Sequence, residues 1–432
     1  MTTDLAEVMV RGLAAGGSGV AELPDGRVVF VPRTAPGDHA RIRIEKSKPR
    51  WAVGALERII EAGPDRVVAP CPLYDRCGGC QLQHLPYERQ IEWKGRFVAD
   101  ALQRIGGLGE IPPPDVVASP QTLHYRNRVT FTLRRLPGGR VVAGFHALAR
   151  PAHVVEVHGE CLLPREPLVA VWTRLRRGWG PGADRLPAGG RLRLTLRLVG
   201  EAVVLQVVGG PQEWDARPLV EAVPELAAVW HQPAERSEPG LLVGGDVAEA
   251  HGPAFEQANP EAAEDLRAYV LSRALAERDP AVETEAVARP TPTAVDAYCG
   301  VGEYGRALAG HGWSVRGIEV DRWAVAAARD GAPDGFDVVA GRVEDELQAT
   351  LPTDLLVVNP PRTGLGVAVV EVVRAAPPRR LVYVSCDPGT LARDLAALSD
   401  EYDLVELGCF DLFPQTAHVE TVATLHARAG AP

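Results

Sequence analysis

Apolar and polar positions in the first sixty residues alternate in short runs broken by turn residues. Val8–Val10, Gly19–Leu23, Arg27–Val31, His39–Glu45 and Trp51–Ile60 are β-prone. Ala-Gly-Gly-Ser-Gly at 15–19, Pro-Asp-Gly at 24–26 and Ala-Pro-Gly-Asp at 35–38 separate them. Evenly spaced short strands predict a small OB-like β-barrel. The period changes at 86–110, which reads as an amphipathic helix ending at Gly106-Gly107. Val129–Arg134 reads as a strand, and residues 191–198 alternate strictly, so Arg191, Arg193 and Arg197 share one sheet face. In the last 180 residues the pattern changes again. The runs at 294–297, 315–319, 355–358 and 381–384 read as strands of an open α/β sheet. Residues 273–293, rich in Ala, Glu and Pro, are weakly patterned and read as a surface connection. No internal repeat is visible.

Length and charge sharpen this outline. A chain of 432 residues is expected to form two to three domains. The divisions predicted are a β-barrel at 1–62, a small α+β domain at 63–250 and an α/β Rossmann-like domain at 251–432. A helix at about 86–116 is expected to pack on the last of these. There is no run of 18 apolar residues and the N-terminus has no secretory pattern, so a cytoplasmic monomer without membrane contact is expected. The net charge of −10 hides a division. Residues 1–200 hold 29 Lys and Arg against 19 Asp and Glu, and residues 201–432 hold 17 against 37. A basic N-terminal half points to a polyanionic partner.

That half also carries candidate contacts. Arg33, Arg41, Arg43, Lys46, Lys48 and Arg50 crowd one part of the barrel beside Trp51. Charge for a backbone and an aromatic face for stacking suit single-stranded nucleic acid. The segment resembles a TRAM domain, an RNA-binding module. Next come Cys71, Cys77 and Cys80 at C-x5-C-x2-C spacing, with Cys161 the best fourth candidate. Four thiolates suit a [4Fe–4S] cluster or a structural zinc. A single C-x2-C pair, where zinc more often takes two, favours iron–sulfur.

The C-terminal third holds a nucleoside-cofactor pattern. Asp296-Ala-Tyr298-Cys-Gly300-Val-Gly302-Glu303-Tyr-Gly305 reads as strand, glycine loop, helix. Glu319 ends the next strand, 23 residues beyond Asp296, where an acid can accept ribose hydroxyls. Strand, loop and strand-end acid in this order favour S-adenosylmethionine. A third strand ends at Asn359-Pro360-Pro361-Arg362. The strand at 381–384 delivers Cys386, and Glu420 follows downstream. A thiol and a carboxylate beside a methyl donor fit nucleophilic activation of a substrate. Cys409 reads instead as a small buried hydrophobe.

The order of these motifs over nearly the whole chain resembles the RNA uracil-5-methyltransferase family in its iron–sulfur branch. The TRAM-like segment, cysteine cluster, Phe255-Glu-Gln257-Ala-Asn259-Pro, glycine loop, Asn359-Pro-Pro-Arg, Ser-Cys386-Asp and Asp411-Leu-Phe-Pro-Gln-Thr-Ala-His418-Val-Glu420 carry the resemblance. It implies a class I methyltransferase fold, with Gln257, Tyr298, Gly300, Gly302, Glu319 and Asn359 at the cofactor. Cys386 would be the nucleophile and Glu420 the base. Cys71, Cys77, Cys80 and Cys161 would hold the cluster. Glu303 and Arg342 stand where the family often has asparagines that touch the cofactor, and Asn359 replaces a frequent Asp. The implied substrate is a uridine in RNA, 23S rRNA first and the tRNA T-loop second. A cytosine-5 enzyme would carry a second cysteine in its proline motif, and Asn359-Pro-Pro-Arg has none. A non-catalytic iron–sulfur RNA-binding or redox-sensing protein would not need nucleophile, base and cofactor loop together.

Overall fold

Alternation in the first sixty residues builds six strands, β1 (Leu5–Met9), β2 (Gly12–Leu13), β3 (Gly19–Glu22), β4 (Val28–Val31), β5 (His39–Ser47) and β6 (Trp51–Glu61). The computed structural model describes residues 5–148, 150–235, 237–245, 256–276 and 291–428. The sheet runs β1-β5-β6-β4-β3-β2. Val8, Val29, Val31, Ala40 and Ile42 point inward to one small core. Three irregularities in the β5–β6 ladder bend that long hairpin around it. Edge strands β1 and β2 are not paired with each other among the described residues.

The amphipathic stretch forms α1 (Tyr87–Arg104) and is followed by the two-residue strand β7 (Val116–Val117). The central residues then form β8 (Arg128–Arg135), β9 (Val141–His146), β10 (Val154–Glu156), α2 (Glu166–Gly178), β11 (Arg191–Val199), β12 (Ala202–Val208), α3 (Arg217–Ala222), β13 (Leu226–Gln232) and β14 (Gly240–Val243). Their sheet has the order β10-β9-β8-β11-β12-β13-β14. Leu192, Leu194 and Leu196 of β11 lie in one core with Leu168, Trp172 and Leu175 of α2. Phe131 stacks on Trp172 at 3.8 Å between centroids. On the other strand face Arg191 and Arg193 are exposed, but Arg197 is buried opposite Arg128.

The third unit comprises α4 (Pro260–Leu275), β15 (Thr293–Ala297), α5 (Glu303–Gly310), β16 (Ser314–Glu319), α6 (Arg322–Arg329), β17 (Phe336–Ala340), α7 (Val343–Glu346), β18 (Leu355–Val358), α8 (Val367–Ala375), β19 (Arg380–Ser385), α9 (Pro388–Ala397), β20 (Tyr402–Phe410) and β21 (Glu420–Ala427). Its sheet runs β17-β16-β15-β18-β19-β21-β20-β7. Strands β15 to β19 are mutually parallel, and β21 is antiparallel to β19 and β20. Leu355–Val358 and Leu381–Ser385 are buried throughout, because helices cover both faces. Strand order reverses between β15 and β18, and the crevice beyond the carboxyl ends there is where such sheets bind ligands.

Helix α1 ends at Arg104, short of the 116 expected, and packs on this unit. Val98, Ala101 and Leu102 of α1 enter its core, and β7 extends its sheet beside β20. Leu13 and Ala35 of the first sheet meet Leu82, Leu85 and Phe97 in a small core, with Trp93 and Ala417 against it. All three parts of the chain therefore converge near residues 80–97 and 411–417. Phe255 and most of the connection at 273–293 lie outside the described residues.

Candidate active site and cysteine cavity

Cys386 lies in the turn between β19 and α9. Asp387 caps α9, accepting from the Gly389 and Thr390 amides at 2.9 and 3.0 Å, and Ser385 Oγ closes the turn onto Asp387. The half-buried thiol therefore sits one residue before a helix cap. Burial pushes its pKa up, the Glu420 carboxyl adds to that, and Arg362 opposes it. Glu420 opens β21 and is buried, which pushes its pKa up to about 7 against the pull of Arg362. The same guanidinium, after burial, helps hold His418 down at about 4. Arg362 thus acts on Cys386, Glu420 and His418 alike, and Glu420 acts on Cys386.

Arg362 ends the Asn-Pro-Pro motif, which gives no sign of its charge acting on Cys386 and Glu420. The two prolines fix the turn after β18, so the next side chain projects from it. The turn is anchored by buried Asp394, whose Oδ2 accepts from Leu365 N and the Tyr383 hydroxyl, both at 2.7 Å. Arg393 closes it further through Thr363 O at 2.8 Å. No sequence signal marked Asp394, because a lone helical acid reads as solvated surface.

The glycine loop lies across the switch point. Glu319 Oε2 accepts from Gly300 N at 3.0 Å, while Oε1 accepts from the Val320 and Asp321 amides at 2.8 and 2.7 Å. Asn359 N bonds Ala297 O at 3.3 Å. Tyr298, half-buried at φ 61°, has its pKa pushed up to about 12 by burial and by Glu344 and Asp394. Gly302 is required twice over: its φ is +81°, and a Cβ there would lie 2.6 Å from Phe336. Gly300 faces open space. Asp296 accepts from Gly305 N at 2.9 Å, and its Oδ1 is buried without a partner. Burial raises its pKa to about 7. An open Gly300 and an unsatisfied acceptor are a cradle that fits a cofactor.

Other sequence candidates sit differently. Glu303 is paired with Arg267 of α4 at 3.1 Å. Arg342 precedes α7 and is exposed, 3.5 Å from Glu344. Gln257 is half-buried just before the Asn259 cap, and Asn259 Nδ2 reaches Leu412 O at 3.2 Å and Ser119 Oγ at 3.0 Å.

The cysteines Cys71, Cys77, Cys80 and Cys161 line one cavity together with Tyr74, Phe145, Leu163 and Arg126. Among the described residues, no three His, Cys, Asp or Glu side chains gather closely enough to hold a single metal ion. The donor set nevertheless fits a multinuclear cluster, because four thiols face one apolar space. Burial pushes Cys80 up to about 11 and Cys161 up to about 12, and the neighbouring cysteines add to both. Four thiolates here would need a cationic centre among them.

The grouping of six basic residues around Trp51 is corrected by the structure. Arg33 is buried and donates to the Cys77 and Cys80 carbonyls, each at 2.5 Å, because its positive φ of 70° turns it away from the sheet surface. Arg41 pairs with Glu7 and Arg43 with Glu57, at 2.6 and 2.7 Å. Lys46, Lys48 and Arg50 are exposed around the β5–β6 turn. Lys46 lies over the Trp51 ring at 5.2 Å, and Phe30 meets that ring edge-on.

Known proteins give an independent comparison. Residues 342–428 match the family model described as tRNA (Uracil-5-)-methyltransferase, and residues 5–56 match the TRAM domain. An uncharacterized RNA methyltransferase of Gloeobacter violaceus is 35% identical over 446 residues, spanning 97% of this chain and 95% of that protein. One from Halalkalibacterium halodurans is 31% identical, over 98% and 97%. The solved tRNA (uracil-54, C5)-methyltransferase of Pyrococcus abyssi, in complex with S-adenosyl-L-homocysteine, superposes with a TM-score of 0.69 and 26% identity. That match covers 97% of this chain and 99% of the other. Among the described residues no helix is long and apolar enough to cross a membrane.

Proposed function

The chain belongs to the S-adenosylmethionine-dependent RNA uracil-5-methyltransferase family, and from that premise we propose that it methylates C5 of a uridine in 23S rRNA through a covalent adduct on Cys386. The observation that carries this reading is the grouping of Cys386, Glu420 and Arg362, with Tyr304 of α5, just after the glycine loop, also in the field of Glu420.

Uracil C5 is a poor nucleophile toward a sulfonium methyl. Addition of the Cys386 thiolate to C6 makes the ring an enolate, and C5 then carries the electron pair that attacks the methyl group. S-adenosylmethionine, when bound, would supply that methyl from its sulfonium and be left as S-adenosylhomocysteine. Glu420 next takes the C5 proton, the C5–C6 double bond reforms and the thiolate departs. Arg362 supports both anions, since its charge favours ionised Cys386 and Glu420 alike. Gln257, Tyr298, Gly300, Gly302, Glu303, Glu319 and Asn359 are the proposed cofactor contacts, with Glu319 reaching the ribose. Glu303 would act from beside its Arg267 partner. The target base must leave its stack to enter the crevice.

Cys71, Cys77, Cys80 and Cys161 are proposed to hold a [4Fe–4S] cluster. It would cross-link the 71–80 loop to residue 161 and take no part in methyl transfer. A colourless protein binding one zinc would overturn this reading. The tRNA T-loop is the second reading of the substrate, favoured by the Pyrococcus abyssi relative, which acts on tRNA. Nucleoside mass spectrometry of both RNA classes from a deletion strain separates the two. The mechanism is tested with RNA containing 5-fluorouridine, which cannot lose its C5 substituent. With cofactor present, a covalent protein–RNA adduct is expected on denaturing gels. Its absence, or its persistence in Cys386→Ala, would defeat the mechanism.

A further inference from the structure

We propose that Gln415 is a positioning residue that aims Glu420, and that it is anchored for this purpose in the cysteine-bearing loop. The inference rests on the covalent mechanism proposed above, in which Glu420 is the base.

Gln415 is one of five described residues other than glycine with positive φ, at 70°, and it is buried. A side chain in that backbone region is disfavoured unless the surroundings over-determine it, and such residues cluster at functional sites. Here they do over-determine it. The Gln415 amide N donates to Gln90 Oε1 at 3.0 Å, and its Oε1 accepts from Gln90 Nε2 at 3.0 Å. Its Nε2 donates to Thr122 O at 3.3 Å. Its carbonyl accepts from both Gln81 N and Leu82 N at 3.0 Å. Each partner comes from outside the loop: α1, the strand-poor segment at 119–127, and the loop directly after Cys80.

The neighbours repeat the pattern. The Tyr125 hydroxyl donates to Pro414 O at 3.1 Å, and Ala417 N donates to Gln81 Oε1 at 3.4 Å. The cysteine loop is itself held by Arg33, through the Cys77 and Cys80 carbonyls. Residues 411–419 connect β20 to β21, and Glu420 is the first residue of β21, paired with Phe410. A strand's first residue frays unless the chain entering it is fixed. The left-handed turn at Gln415 fixes that entry, five residues before the carboxylate.

The step most sensitive to this geometry is proton removal from C5, since attack by Cys386 comes from another loop. Gln415→Ala should therefore slow turnover at least tenfold, while the rate of adduct formation with 5-fluorouridine RNA changes less than twofold. With ordinary RNA the methylated covalent adduct should accumulate, and amide exchange should quicken at Ala417 but not within 422–425. Gln90→Ala removes two hydrogen bonds to Gln415, one at its side chain and one at its backbone N–H, but keeps the Gln415 side chain and its bond to Thr122 O, so it should give the same pattern more weakly; it serves if Gln415→Ala does not fold. A parallel fall of turnover and trapping, or unchanged turnover in both variants, overturns the proposal. Glu420→Gln is the control. If it accumulates no adduct, Glu420 is not the base and the parent mechanism fails, an outcome distinct from failure of positioning alone.

Discussion

Lys94 Nζ lies 2.5 Å from Asp411 Oδ1, and neither side chain has any solvent exposure. Nζ also donates to Phe413 O at 3.1 Å, and Asp411 Oδ1 accepts from Phe413 N at 3.0 Å. Burial pushes the ammonium pKa down while Asp411 holds it up. The pair pins α1 to the start of the loop that ends at Glu420. Removing one partner strands the other charge without water. Lys94→Met should therefore cost about 3–5 kcal/mol. The double variant Lys94→Met/Asp411→Leu should recover part of that loss. Denaturant titration of the three variants measures both, and a double variant no better than the single would refute the argument.

The elevated pKa of Glu420 makes opposite statements about stability and chemistry. Its carboxyl ionises near 4.5 when unfolded and at about 7 when folded, because burial disfavours the charge. The folded state prefers the neutral acid, so this contribution to stability is complete below the unfolded pKa and is lost as pH rises through about 7. Glu420→Gln removes the penalty. It should be more stable than the parent at pH 8, by up to about 3 kcal/mol, and nearly equal to it near pH 4. Tm measured at both pH values shows the difference. Chemistry runs the other way: a base must be ionised, so decay of the methylated adduct should accelerate up to about pH 7 and then level off. An adduct decay rate that falls over that interval would exclude Glu420 as the base.

What the sequence disclosed follows from the range of its signals. Strands β18 and β19 were readable because burial on both faces makes them almost continuously apolar, and β15 and β16 because each carries an acid at or next to its carboxyl end, beside the glycine loop. The glycine loop was readable because Gly302 has no substitute where Phe336 lies so close. Val116-Val117 gave no such signal: two residues have no period, and their pairing with Cys409 and Phe410 spans nearly three hundred positions. Arg33 misled because basic composition does not reveal which guanidinium turns inward to backbone carbonyls. Gln415 was hidden for a similar reason, since positive φ at a non-glycine residue leaves no mark in sequence.

The two loop glycines should respond differently to a methyl group. At Gly302 a Cβ meets Phe336 at 2.6 Å in a backbone conformation unfavourable to side chains, whereas at Gly300, φ +56°, it meets nothing within 4 Å. Gly302→Ala must displace Phe336 from the core it shares with Ala328 and Val338. Overpacking of this kind costs about 1–3 kcal/mol, so Gly302→Ala should lower Tm and weaken cofactor affinity together. Gly300→Ala meets no neighbour, but its positive φ still strains a side chain by about 1–2 kcal/mol, so it should lower Tm less than Gly302→Ala while reducing affinity, because its open side faces the cofactor cradle. Calorimetric titration with S-adenosylhomocysteine, paired with thermal melts, distinguishes the two. Equal Tm losses would mean that Gly300 is structural as well.

Trp51 and Lys46 should contribute to RNA binding by separable means. The indole is over one-third exposed at the start of β6, with Lys46 above its face and Phe30 against its edge. A base stacked there gains little from ionic conditions, so Trp51→Ala should cost about 1–3 kcal/mol of RNA affinity with the same dependence on salt. Lys46→Ala removes one phosphate contact, so the slope of log affinity against log salt should become shallower by about 0.7 for a single-stranded target. Filter binding at several salt concentrations reads both quantities. If Trp51→Ala alters the slope and Lys46→Ala does not, the assignment of stacking and charge to these two side chains is wrong. If neither changes affinity, the β5–β6 turn does not contact the RNA, and the basic N-terminal half must meet its substrate through another face.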